Sequence, residues 1–168
     1  SPSRGLGDVY KRQDKSLAGW QKLSASSDVD AAVMGADTIV VLDGEVLEKP
    51  RDEADGIRML MTLSGRVHEV FTAVALTSGK DQKAMICRTE VVFGEITQAQ
   101  AKVYWHTGEP CDKAGGYGIQ GAGAVFVEKI SGSYSAVVGL PLFETRELLN
   151  QFDIGVWQFD AMPAQQRA

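Results

Sequence analysis

The sequence predicts an α/β protein in which strands and helices interleave over a mixed sheet. Three observations carry that reading. Continuous β-branched runs end on tight-turn dipeptides, as in Ile39–Leu42 followed by Asp43-Gly44. Segments with helical spacing, each with a start signal and a glycine stop, fall between those runs. The chain has 168 residues, 44% of them hydrophobic and 23% charged, which suits one globular domain with a real core.

In order along the chain, residues 14–26 space Leu17, Trp20 and Leu23 by threes, as in a short amphipathic helix. The stretch from Ala31 to Pro50 reads as strand, interruption at Gly35–Thr38, strand and tight turn, with Asp43-Gly44 as the hairpin signal. A helix follows Pro50, with acids in its first turn and a stop at Gly65; Ile57, Leu60, Met61 and Ser64 are expected on its inner face. Two long strands then meet at Ser78–Asp81. Thr97 is placed to cap a helix that Gly108 stops. The glycine-rich stretch from Asp112 to Pro141 reads as loop, strand, turn and short strand, and a helix from Leu142 closes the fold. A polar tail follows.

Net charge is −5, which argues against a protein that coats nucleic acid. Local lysines and backbone N–H groups can still hold a small anion. The two cysteines, Cys87 and Cys111, show no metal or redox spacing and read as reduced thiols. No run of about 18 apolar residues is present to span a membrane. His68 and His106 lack partners at ligand spacing and read as ordinary strand and helix-end residues. With no serine elbow, and no base evident for Cys111, covalent catalysis is not expected.

Three stretches carry more chemistry than folding requires. In "GADT", Asp37 could ligate a divalent metal or act as a base on water; a strand carboxylate satisfied by backbone N–H groups is the alternative. In "EKP", Lys49 stands just before a helix start, where a compact cation suits phosphate oxygens, or else it is a solvated loop lysine. In "DKAGGYGIQGAG", five glycines in twelve residues cost entropy unless the backbone approaches something closely. Lys113 and Gln120 bracket that bend, and Gln120 has both the donor and the acceptor needed to read a base edge. The loop is neither a Walker A motif nor a clean GxGxxG, so its phosphate signal is weak alone.

Taken in that order, the stretches resemble the Maf family of nucleoside triphosphate pyrophosphatases. The resemblance runs through "GADTIVVLDGEVLEKPRDEADGIRMLMTLSGRVHEVFTAVAL", "DKAGGYGIQG" and "ISGSYSAVVGLPLFET", over about residues 14–152. It implies an inosine-triphosphatase-like fold: an elongated mixed sheet flanked by helices, with a cleft between two lobes. It also implies a cytoplasmic, metal-dependent enzyme, using Mg²⁺ or Mn²⁺, that hydrolyses nucleoside triphosphates to the monophosphate and pyrophosphate. Carried over by position, Asp37 is the catalytic carboxylate, as metal ligand or base. Lys49 and Lys113 grip phosphates, Thr38 and Gln120 select the base, and Gly121 belongs to the same binding loop. Thr38 and "GYGIQG" are similar to the dTTP/UTP-hydrolysing branch rather than the 7-methyl-GTP branch. A homodimer is the family's habit, and no nucleic-acid polymer or membrane is implied as partner.

The front of the chain departs from the family pattern. "DKSLAG" overlies a family helix whose lysine would be Lys15, a further catalytic residue. Arg4 is only eleven residues before Lys15, too close for "SPSR" to be the family's Ser-Pro-Arg-Arg loop. "DVYKRQ" matches the translation of a common sequencing-library adaptor end, so residues 1–13 are expected to be foreign to a domain spanning 14–152, with 153–168 as tail. The alternative to an active enzyme is therefore an inactive truncated fragment that at most binds nucleotide.

Overall fold

The structure is a computed structural model that describes residues 32–79 and 81–156. The helix expected at 14–26, with Lys15, and the tail beyond residue 156 lie outside the described residues.

Strand β1 (Val33–Leu42) turns through Asp43 and Gly44 into β2 (Glu45–Leu47). Both turn residues are left-handed, with φ of 52° and 81°, the twist a two-residue hairpin needs. The interruption expected at Gly35–Thr38 does not occur. β1 pairs without a break from Val33 opposite Thr77 to Val41 opposite Glu69 on β3 (Val67–Ser78). Asp37 can stay in the strand because its Oδ1 accepts from the next backbone N–H, that of Thr38, at 2.8 Å.

Helix α1 (Glu53–Leu63) opens on Asp52, whose carboxylate accepts from Asp55 N at 2.8 Å. Asp55 is itself buried in the first turn and takes bonds from the Arg51 backbone and from the Arg51 and Arg58 guanidinium groups. Those bonds hold its carboxyl well below the usual range. The buried stripe of α1 is Gly56, Met59, Leu60 and Leu63, whereas Met61 is exposed. At about 100° per residue, Met61 falls on the far side of the helix from the stripe of Gly56, Met59, Leu60 and Leu63. Gly56 is where α1 meets α2 (Gln98–Trp105): a Cβ there would lie 2.3 Å from the Trp105 ring. Thr97 and Gln100 close the start of α2 as a capping box.

β3 and β4 (Asp81–Phe93) form a long hairpin, and β5 (Val127–Ser131) pairs with β4. The sheet order is β2-β1-β3-β4-β5, and no parallel pair occurs among the described strands. Tyr134–Val138, expected as a short strand, is helix α3. Ser133 Oγ accepts from Ala136 N, and Gly139 ends the turn at φ 125°, so the caps override the strand preference of Val137 and Val138. α3 and α4 (Leu142–Asn150) pack on β3 and β4, which completes an α/β layering of sheet and flanking helices. The core runs from Val40 and Leu42 through Leu60, Leu63 and Val70 to Phe93, Tyr104 and Tyr117. Among the described residues no helix is long and apolar enough to cross a membrane.

His68 stands inside this core, 1% exposed, edge-on to Phe93 and Tyr117. Its Nε2 is 2.8 Å from the Tyr117 hydroxyl, and Nδ1 has no hydrogen-bond partner among the described residues. Burial lowers its pKa from 6.5 to about 4. The folded chain therefore holds the ring neutral where the unfolded chain would protonate it. The resulting stability is complete above pH 6.5 and is lost as the pH falls from 6.5 to about 4. Urea unfolding across that interval is expected to lose up to about 3 kcal/mol. In His68→Gln the slope flattens; an unchanged slope would refute the buried neutral imidazole.

Candidate active site

The glycine-rich loop reaches β1 because two of its residues have no side chain. Gly115 and Gly116 are both left-handed, at φ 71°. A Cβ on Gly115 would lie 3.0 Å from Val40 Cγ1, and one on Gly116 would lie 3.2 Å from Pro50 Cγ. Gly115 N donates to Glu48 O at 3.1 Å, which ties the loop to the chain just before Lys49. The two lysines picked from sequence, Lys49 and Lys113, are thereby brought to one wall. Lys113 Nζ bonds Asp112 Oδ1 at 2.6 Å. That bond, with a smaller contribution from the charge of Lys49, holds the Asp112 carboxyl below its ordinary value.

The second half of the loop hangs on one carboxylate. Glu109 Oε1 accepts from the Tyr104 hydroxyl at 2.6 Å and from Gly123 N at 3.0 Å. Oε2 accepts from Ala122 N at 2.8 Å, and the Tyr104 oxygen accepts in turn from Gly118 N at 3.0 Å. A Cβ on Gly121 would fall 2.0 Å from Glu109 Oε2, so a side chain there would push the carboxylate off its donors. Burial opposes the Glu109 charge, but the bonds from Tyr104, Gly123 and Ala122 and the charge of Lys113 outweigh it, and the pKa lies below the ordinary one. Burial and the Glu109 bond push the Tyr104 phenol up, so it stays a donor. Neither residue stood out in the sequence. An acid between Gly108 and Pro110 signals only a turn, and its backbone partners lie 13 and 14 residues further on.

Between this loop, β1 and α3 lies a cavity of about 540 Å³. Asp37, Thr38, Lys49, Lys113, Gln120 and Gly121 all line it, together with Glu109, Asp112 and Tyr117. Six of the seven candidate residues thus share one wall system, and Lys15 lies outside the described residues. Successive strand residues point to opposite faces. Asp37 and Thr38 can both border the cavity because, among the described residues, β2 covers the outer edge of β1 only from Val40 to Leu42. Asp37 lies along that open edge, its carboxylate turned back onto Thr38 N. Val137, Val138 and Gly139 supply an apolar flank beside Thr38.

Among the described residues no group of three or more His, Cys, Asp or Glu side chains could cage a metal. Of the cavity carboxylates, Glu109 is committed to the loop and Asp112 to Lys113. The donor set suits a cation held by one carboxylate and by substrate phosphates, the way Mg²⁺ is commonly bound.

A family model described as Maf-like protein matches residues 10–152. The chain belongs to the Maf-like family. It is 57% identical over 145 residues to the dTTP/UTP pyrophosphatase of Saccharophagus degradans, covering 86% of this chain and 69% of that relative. It is 54% identical over 140 residues to the dTTP/UTP pyrophosphatase of Vibrio vulnificus and 52% identical over 140 residues to that of Vibrio cholerae. Each of those alignments covers 83% of this chain and 73% of the relative. The motifs that resemble the Maf family in sequence are the ones that line the cavity.

Glu109→Gln retains one acceptor oxygen but replaces the other with a donor facing Ala122 N or Gly123 N. The amides of Ala122 and Gly123 are expected to exchange with solvent about tenfold faster, while the core strands keep their protection. Unchanged exchange at both amides would show that the carboxylate does not hold the loop.

Proposed function

We propose that this chain is a nucleoside triphosphate pyrophosphatase that hydrolyses dTTP and UTP, with related modified pyrimidine nucleotides, to the monophosphate and pyrophosphate. The observation that carries the reading is the single cavity in which an acid, two lysines, a hydroxyl, an amide and a glycine-rich backbone converge. The names of its Maf-like relatives supply the substrate class.

In this reaction a water oxygen bonds to the α-phosphorus as the bond to the bridging α–β oxygen breaks, and pyrophosphate departs. Such transfers require mainly positioning and compensation of charge, with little covalent work from the protein. Lys49 and Lys113 hold the phosphate oxygens and offset the charge that gathers on the leaving pyrophosphate. Asp37 orients the attacking water and takes its proton, or holds the cation beside it. A divalent cation, when bound, draws charge from the phosphoryl oxygens, and Asp37 is the carboxylate we assign to it. Gln120 and Thr38 face the base, with Gly121 keeping the loop backbone close. The substrate is a free nucleotide in the cytoplasm, and a homodimer is the expected assembly.

Pyrophosphate release from dTTP, UTP and 7-methyl-GTP, with Mg²⁺ or Mn²⁺ and with chelator, tests the reading. Turnover of dTTP and UTP is expected, abolished by chelator, with 7-methyl-GTP poorly used. Asp37→Asn is expected to lower kcat by about a hundredfold or more. Lys113→Ala is expected to raise KM and lower kcat, with kcat/KM falling by about tenfold or more. Undiminished turnover in Asp37→Asn would remove the catalytic assignment. Binding without turnover in the unmodified chain would favour the nucleotide-binding fragment instead.

A further inference from the structure

We propose that Thr72, which does not line the cavity, sets which pyrimidine base is accepted by fixing the direction of the Thr38 hydroxyl. The inference rests on the nucleotide reading above and adds a positioning residue to it. Thr72 is fully buried on β3, directly opposite Thr38 on β1. Its Oγ1 lies 2.6 Å from the carbonyl oxygen of Ala136 on α3 and 2.9 Å from Thr38 Oγ1.

A carbonyl oxygen can only accept, and a threonine hydroxyl has one proton. Thr72 therefore gives its proton to Ala136, and in its bond with Thr38 it must be the acceptor. Thr38 in turn directs its own proton inward, to Thr72. What Thr38 presents to the cavity is a pair of lone pairs, and no donor.

That polarity discriminates between bases. Uracil and thymine carry an N3–H between two carbonyls, which an acceptor-only hydroxyl can receive. Cytosine has a bare N3 lone pair in the same place, and two lone pairs facing each other beside the apolar flank of Val137 and Val138 are unfavourable. Gln120 cannot impose this choice alone, because its amide can turn over and offer either a donor or an acceptor. The relay separates uracil and thymine from cytosine. Guanine, with an N1–H of its own, is outside its reach.

The test measures binding, so that it does not depend on turnover. The α,β-methylene analogues of UTP and CTP, which cannot be cleaved at the scissile bond, are titrated calorimetrically with Mg²⁺ into the unmodified chain, Thr72→Val and Thr72→Ser. The unmodified chain is expected to favour the uracil analogue by about tenfold or more. Thr72→Val keeps the side-chain shape but frees the Thr38 proton, and its preference is expected to shrink to about threefold or less. Thr72→Ser retains the relay and is expected to keep the preference. If Thr72→Val does not fold, Thr72→Ala, which likewise removes the hydroxyl, is measured in its place against the same expectation. A purely structural role for Thr72 would lower melting temperature and both affinities together and leave their ratio alone. An unchanged ratio in the valine variant would overturn the proposal. So would equal affinities in the unmodified chain, with the nucleotide reading intact. Failure of the unmodified chain to bind either analogue would overturn both.

Discussion

The close approach of the glycine-rich loop to strand β1 is the constraint on which the site depends. Gly115 and Gly116 are both left-handed and in contact with Val40 and Pro50, a position that no residue with a side chain could take without moving one of them. This approach, with the bond from Gly115 N to Glu48 O, brings Lys113 to the same cavity as Lys49. The chain between them includes β3 and β4, so their meeting is a tertiary event. The entropic cost of fixing two consecutive glycines is offset by contact with the core at Val40 and by the hydrogen bond to β2's flank.

Two of the carboxylates in the site are used for building. Glu109 and Asp112 look as available as Asp37 in a sequence, yet Glu109 is used as a clasp for three donors and Asp112 as a counter-charge to Lys113. Tyr117 and Ile119 pack the first part of the loop into the core, and the ionised Glu109 acceptor holds the glycine-rich part beyond them by its N–H groups. The hydroxyls follow a similar rule. Thr72 and Thr38 are linked in one direction because the chain of bonds ends on a carbonyl, and that direction reaches the cavity wall.

Where sequence and structure part, the cause is traceable to range. The expected break at Gly35–Thr38 is absent because a polar residue in a strand can be satisfied by its own neighbour, as Asp37 is by Thr38 N. The spacing predicts Met61 inward about as well as it predicts the true face; the position of Gly56 against Trp105 decides the rotation of the helix. Val137 and Val138 suggest a strand, but Ser133 and Gly139 cap a helical turn there, and Ala136 then has its carbonyl placed for Thr72. His68 gives no sign in the sequence of being buried among aromatic rings.

By itself the sequence determined the local features: the Asp43-Gly44 turn, the start of α1 after Pro50, the cap at Thr97, and six of the residues that line the cavity. Each depends on dihedral preferences or on partners within a few residues, and these survive without knowledge of the fold. Only the tertiary structure decided which acid is the clasp, which hydroxyl faces the cavity as an acceptor, and which histidine is held neutral. Those outcomes depend on partners 13 to 64 residues apart, and on burial, which exists only once the sheet, the loop and α3 have closed on one another.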